Sequence, residues 1–271
     1  MRLAGSRSNA QPEETGLTDD TNFSGQRVLV VGGSSGIGNG VAQAFAQRGA
    51  EVHVWGTRAH AADYAGVEGS DLTGLHYACV DVGDPDQIEL APQPGGDSAA
   101  LDVLVLCQGT VEYKRREFER AGWDRVMAVN LDSLMHCCRR FKPALLPSPG
   151  RDGGKVIIVS SIAGLGGSNV GNPAYAASKA GAMSLTRTLG VAWAPEGIRV
   201  NGMAPGLVDT KLTKVTTQNP KRLEGALANI PQRRLGTPAD MAGAVLFLAS
   251  PLGAYMAGQT LNCDGGLSLA R

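Results

Sequence analysis

The stretch Val28-Leu-Val-Val-Gly-Gly-Ser-Ser-Gly-Ile-Gly38 constrains the chain more than any other. Apolar residues run into a glycine-rich turn, and the turn runs into a helix. Glycines at 32, 36 and 38 permit positive φ and let the backbone approach an anion closely. A helix that starts there aims free N–H groups, and its positive end, at that anion. A glycine cluster alone is a weak signal, because flexible turns are common. Placed after the first strand of a βαβ pattern, it reads as the pyrophosphate cradle of a dinucleotide site, with Gly32, Ser34, Ser35, Gly36, Ile37 and Gly38 as its residues.

That pattern continues. Strand-like runs fall at Arg27–Val31, Glu51–Trp55, His76–Val80, Val103–Cys107, Lys155–Ser160, Arg199–Met203 and Thr260–Asn262. Most are continuously apolar, as expected of strands covered on both faces. Helical stretches lie between them at about Gly38–Arg48, Glu117–Leu146, Pro173–Ala192 and Pro238–Ala249. The expected fold is α/β: a doubly wound Rossmann fold with a seven-stranded parallel sheet in a single domain. That domain spans 23–271, and the polar residues 1–22 read as a disordered extension without the apolar core of a signal peptide. Pro92–Ala99 reads as a surface loop rather than a domain linker.

Composition narrows the partners. The chain has 25 basic and 25 acidic residues and a formal charge of zero. A nucleic-acid or anionic-membrane partner would call for a basic excess, so a small molecule is the expected partner. No apolar run reaches the ~20 residues of a membrane span. Five cysteines (Cys79, Cys107, Cys137, Cys138, Cys263) form no regular framework, which points to a reducing cytoplasm. The adjacent pair Cys137 and Cys138 reads as buried hydrophobes; a redox role would need a depressed pKa. His53, His60, His76 and His136 lack ligand spacing, so no catalytic metal is expected.

The second strand ends in His53-Val-Trp-Gly-Thr-Arg58. A carboxylate there would hold adenosine ribose hydroxyls. Instead Thr57 and Arg58 follow Gly56, and a guanidinium suits a 2′-phosphate. NADP(H) is therefore favoured, with NAD(H) as the alternative.

The chemistry concentrates in Ser160-Ser-Ile-Ala-Gly-Leu-Gly-Gly-Ser-Asn-Val-Gly-Asn-Pro-Ala-Tyr-Ala-Ala-Ser-Lys179. Tyr175 and Lys179 stand four apart at a helix start and share a face. A free phenol, with a pKa of ~10, is a poor base at neutral pH. A nearby ammonium and a cationic nicotinamide would lower it, so that it can exchange a proton with a carbonyl or alcohol oxygen. A serine at the preceding strand end would hold the same oxygen.

Taken in order, these motifs resemble the short-chain dehydrogenase/reductase family, its single-domain branch with 3-oxoacyl-ACP reductase-like members, from about Phe23 to Gly266. Val31 stands where that family usually has threonine. The resemblance implies an oxidoreductase that interconverts a ketone and a secondary alcohol by hydride transfer. It implies a tetrad of Asn130, Ser161, Tyr175 and Lys179. Asn130 would keep a relay water behind Lys179, and Lys179 would also contact the nicotinamide ribose. It places Asp81 and Val82 near the adenine, Cys107 and Gly109 near the cofactor ribose, and Pro205, Gly206, Val208 and Thr210 near the carboxamide. It implies a homotetramer built through the long helices and the C-terminal segment, which carries Asp264-Gly-Gly266.

Two departures stand out. Leu106-Cys-Gln-Gly109 replaces the family's Asn-Asn-Ala-Gly, so Leu106 cannot make the polar sheet contact of an asparagine. The interval from Ser161 to Tyr175 is one residue longer than common, which predicts a bulge at Leu165–Asn172 and leaves Ser160 as the alternative to Ser161. Residues 207–235 read as a substrate lid. Its Lys211, Lys214, Lys221, Arg222, Arg233 and Arg234 suit either a basic rim for an acidic carrier or coenzyme A thioester, or a solvated surface; the solvated surface is preferred. Trp193 reads as a core or interface filler, and Tyr113 as a candidate pocket residue. A catalytically silent sensor, or an epimerase or dehydratase on the same scaffold, remains the rival reading.

Overall fold

The computed structural model describes residues 20–147, 153–167 and 171–270. Seven parallel strands form one sheet: β1 (Arg27–Val31), β2 (Glu51–Gly56), β3 (His76–Cys79), β4 (Val103–Leu106), β5 (Lys155–Val159), β6 (Arg199–Pro205) and β7 (Thr260–Cys263). Their order is β3-β2-β1-β4-β5-β6-β7. The helices are α1 (Gly36–Ala46), α2 (Pro85–Leu90), α3 (Arg120–Met127), α4 (Ser133–Leu145), α5 (Pro173–Trp193), α6 (Lys214–Thr217), α7 (Pro220–Asn229) and α8 (Pro238–Ala249). The doubly wound sheet is the one expected. Residues 1–19 of the expected extension, and 168–170 of the expected bulge, lie outside the described residues.

The continuous apolar runs have a direct cause. Leu29, Val31, Leu104, Leu106, Val156 and Ile158 point to one face and pack with Leu134 and Phe141 of α4 and Leu189 and Trp193 of α5. Val28, Val30, Val103, Val105, Ile157 and Val159 point to the other and meet Val41 and Phe45 of α1 and Val245 and Leu246 of α8. Successive strand residues thus enter opposite cores, each burial worth about 1.5–3 kcal/mol. Leu106 is fully buried, so packing stands in for the missing polar contact.

The expected single helix Glu117–Leu146 is not formed as such. Arg115 is left-handed (φ 62°) and a 3-10 turn covers Arg116–Phe118 before α3 begins. A π turn over Ala128–Asp132 then separates α3 from α4. Side-chain bonding accompanies both breaks: Glu117 turns inward, Asn130 bonds the Thr110 backbone, and the Ser133 hydroxyl donates back to the Val129 carbonyl at 2.7 Å.

Two connections shape the cleft. Between β2 and β3 the only helical piece is a 3-10 turn at Ala61–Tyr64. The loop beyond it lies on the start of α1, where the Gly36 N–H donates to the Gly69 carbonyl at 2.8 Å and Asn39 Nδ2 donates to the Asp71 carbonyl at 2.7 Å. Between β1 and β4 the strand order reverses. Sheets of this kind open a crevice at that switch point, at the carboxyl ends of the strands.

Candidate active site

A cleft of about 660 Å³ fills that crevice. Its floor is the glycine turn. Gly32 (φ +75°) lies so near the β4 turn that a Cβ there would sit 2.8 Å from the Gln108 nitrogen, and Gly36 has φ +56°. Ser35 caps α1 in extended conformation without using its hydroxyl as a cap. The first-turn N–H groups of Ile37 and Gly38 have no intrahelical partner, and Ser34, Ser35, Ile37 and Gly38 all line the cleft. Gln108 is buried with Nε2 donating to Ser133 Oγ at 2.9 Å, while its Oε1 has no partner among the described residues. A phosphate-bearing dinucleotide fits this donor set.

The far end of the cleft differs from expectation at one residue. Thr57, Asp81 and Val82 line it, but Arg58 does not. The Arg58 guanidinium lies over the Tyr64 ring, 4.7 Å from its centroid, and donates to the Asp63 carbonyl. Tyr64 in turn accepts from the Thr57 and Arg58 backbone N–H groups at 3.2 and 3.3 Å. Neighbouring loop residues, invisible as partners in the sequence, thus hold the cation off the wall.

Ser161, Tyr175 and Lys179 converge where β5 meets α5, and all three line the cleft. The Ser161 hydroxyl accepts from the Ala163 N–H at 3.2 Å and lies close enough to the Tyr175 side chain to lower its pKa, whereas Ser160 is buried and donates to the Met203 carbonyl at 3.2 Å. Of the two serines, Ser161 is the one beside the phenol. Lys179 is buried, donates to the Val159 carbonyl at 3.1 Å, and places Nζ 5.8 Å from the Tyr175 ring centroid. Desolvation brings its pKa down to about 8.

The expectation that the lysine acidifies the phenol is not met in the protein alone. Burial pushes the Tyr175 pKa up, against the Ser161 side chain that lowers it, and the nearby Tyr113, Glu117 and Cys107 push it further up. Asn130 is fully buried but stands behind the cleft rather than in its wall. Its Nδ2 donates to the Thr110 carbonyl (2.9 Å) and Ser178 Oγ (3.2 Å), and its Oδ1 accepts from Thr110 N–H (2.7 Å). It ties the β4 turn to α5. Of the cofactor residues expected on the other strands, Cys107, Gly109, Pro205, Gly206, Val208 and Thr210 all line the cleft. Burial raises the Cys107 thiol to about 12 and the Cys138 thiol also to about 12, which leaves neither activated for redox chemistry.

Sequence reasoning missed Glu117. It is 1 % exposed, and its carboxylate accepts from Tyr175 N–H at 2.9 Å, Glu112 N–H at 3.1 Å and Asn172 Nδ2 at 3.3 Å. Asn172 occupies the N-cap position of α5 without making a side-chain cap bond. Glu117 therefore caps α5 from 58 residues away, satisfying an orphan donor and complementing the helix dipole.

Part of the segment expected as a lid borders the mouth, through Lys211, Leu212, Thr213 and Val215. Tyr113 lines the cleft and donates from its hydroxyl to the Leu212 carbonyl at 2.6 Å. Of the six lid cations only Lys211 lines the cleft; Lys214 pairs with Glu68 at 2.5 Å and Arg234 with Asp240 at 2.7 Å. Leu212 and Val215 add apolar wall. Trp193 is buried in the core against α4.

Similarity to characterised proteins agrees with this arrangement. A family model described as enoyl-(acyl carrier protein) reductase matches residues 31–268. The 3-oxoacyl-(acyl-carrier-protein) reductase FabG of Chlamydia muridarum is 36% identical over 244 residues, 89% of this chain and 96% of that protein. Galactitol 2-dehydrogenase (L-tagatose-forming) of Cereibacter sphaeroides is 34% identical, covering 90% and 96%. The solved RhlG/NADP complex of Pseudomonas aeruginosa superposes with a TM-score of 0.80 at 32% identity, over 93% of this chain and all of that one. A strand–glycine turn–helix cradle, a serine–tyrosine–lysine convergence and full-length similarity to reductases lead to one assignment: the chain belongs to the short-chain dehydrogenase/reductase family.

Proposed function

We propose that this oxidoreductase interconverts a ketone and a secondary alcohol, with Tyr175 exchanging the proton and NADP(H) favoured over NAD(H). The observation that carries the reading is the convergence of Ser161, Tyr175 and Lys179 on one cleft, with Lys179 buried 5.8 Å from the Tyr175 ring centroid. The dinucleotide, when bound, supplies or accepts the hydride. The α1 amides and the Ser35 and Thr57 hydroxyls would hold its phosphates. Arg58 would have to leave Tyr64 to reach a 2′-phosphate.

Tyr175 would give its phenolic proton to a carbonyl oxygen, or take one from an alcohol. Ser161 would donate to the same oxygen and so stabilise charge as it develops there. Lys179 would hold the ribose hydroxyls and lend its charge to the phenolate. The Asn130 side chain is already committed to Thr110 and Ser178. Its part in a proton relay would therefore be through its backbone and the placement of α5. A ketone with an apolar flank suits the wall formed by Tyr113, Leu212 and Val215, and Lys211 at the mouth gives one anchor for an acidic group. The last feature, together with the named activity of the Chlamydia relative, supports a 3-oxoacyl thioester as an alternative substrate. Exposed Met135 and Val191 on the long helices, and Tyr255 and Leu269 near the C-terminus, suit the proposed homotetramer; sedimentation equilibrium should return four chains.

Tyr175→Phe tests the reading. Loss of a positioned acid–base group should lower turnover by about 10²–10⁴-fold while cofactor affinity, read by NADPH fluorescence, stays nearly constant. Robust NADPH oxidation by this variant against ketones or acyl thioesters would refute it. Turnover of wild type without net cofactor consumption would indicate an epimerase instead, and no turnover a sensor.

A further inference from the structure

We propose that Glu51, His53 and His76 form a transition-metal site, of the zinc(II) class, on the outer face of the β2–β3 edge, apart from the catalytic cleft. In sequence the two histidines are far apart and carry no ligand spacing. The parallel register brings them together, because His53 and His76 are direct partners across β2 and β3. Their rings stack with centroids 4.6 Å apart and an interplanar angle of 22°. Glu51 stands two residues before His53 and so shares its face, with Oε1 2.8 Å from His53 Nε2. One ligand atom from each residue lies within 4.8 Å of the other two. Among the described residues no other group of three or more histidine, cysteine or acidic side chains comes together in this way.

A zinc ion with bonds of about 2.0–2.2 Å would draw these atoms slightly inward. His76 is exposed, whereas His53 is half-buried with Nε2 turned to Glu51. The surrounding groups prepare the donors. Glu51 Oε2 is bound by Arg27 through Nε (3.2 Å) and Nη2 (3.0 Å), while Oε1 faces His53 Nε2, a contact that the ion would replace. Such fixing of a ligand by an outer partner is a common feature of metal sites, although the Arg27 charge opposes the cation and will moderate affinity.

Two imidazoles and one carboxylate select borderline metals over calcium or magnesium, which prefer all-oxygen sites. Cys79 alternates to the opposite face of β3 and is not a ligand. The remaining positions would be filled by water. Bound there, the ion would staple β3, a four-residue edge strand, to β2.

Isothermal titration of the chelator-stripped full-length protein with zinc chloride tests this. One saturable site per chain is expected, weakened at least tenfold in His76→Ala and in Glu51→Gln, with a zinc-dependent rise in wild-type Tm that His76→Ala abolishes. His76 is exposed, so its variant should fold; His53→Gln gives a second removal at the same centre. Cobalt(II) absorption in wild type should disappear in the same variants. No saturable binding, or affinity unchanged in His76→Ala and His53→Gln, would overturn the assignment. Turnover should be the same with and without zinc, so the outcome is independent of the proposed reaction.

Discussion

Lys179 is held inside the protein by the Val159 carbonyl, and desolvation takes its pKa from 10.5 to about 8. A base with a depressed folded pKa costs stability in its charged form. The penalty is complete below about 8, shrinks between 8 and 10.5 and is gone above that. Lys179→Met should therefore be inactive yet more stable at pH 7, by about 1 kcal/mol, with the gain narrowing by pH 10; paired thermal melts check this. Glu117 presses the other way on the site. Its negative charge raises the Tyr175 pKa while its oxygens fix the first turn of α5. In Glu117→Gln the alkaline-rising limb of alcohol oxidation should shift to lower pH, and kcat should fall severalfold as the helix start loosens. Glu117→Ala should cost about 3 kcal/mol of stability by denaturant titration. Tyr175 and Lys179 were legible in the sequence because their relation is local, one turn of helix. Glu117 was not: its partners are made by the tertiary fold. Arg58 was legible as a cation beside β2, but its orientation follows from Tyr64, whose place in a loop no periodicity reports.

Strands and helix starts carried the clearest signals. Apolar runs covered on both faces and the Pro173 and Pro238 N-termini located β1–β7, α5 and α8 almost to the residue. The π turn at Ala128–Asp132 was hidden because its sequence is as amphipathic as the helices it joins; the Asn130 bonds to Thr110 mark the interruption. The histidine pair was hidden for the same reason, since parallel register is a property of two strands together. Close packing at the element level gives its own prediction. A Cβ on Gly190 of α5 would collide with the Gly258 backbone in the turn before β7. Gly190→Ala should destabilise by about 1–3 kcal/mol, read as a lowered urea midpoint with an unchanged slope.

At the scale of the molecule, the cleft is roofed from two directions that meet through few bonds. Tyr113 reaches Leu212 in the segment after β6, and Lys214 of the same segment reaches Glu68 of the β2–β3 loop. The ion pair is exposed and weakened by salt. The tyrosine bond is the stronger tie. Tyr113→Phe should raise the substrate KM by about threefold to tenfold, the cost of one hydrogen bond of roughly 1 kcal/mol, with kcat little changed in steady-state assays.

The Gly36–Gly69 bond places a loop carbonyl on an amide of the anion cradle. An arriving phosphate must either share that corner with the carbonyl or dislodge the loop. If the loop is dislodged, the Gly36 amide becomes a reporter: deuterium uptake there and across residues 66–71 would rise and fall together as coenzyme comes and goes. The rhythm of that segment, rather than proton exchange at the phenol, would then set how long the coenzyme stays.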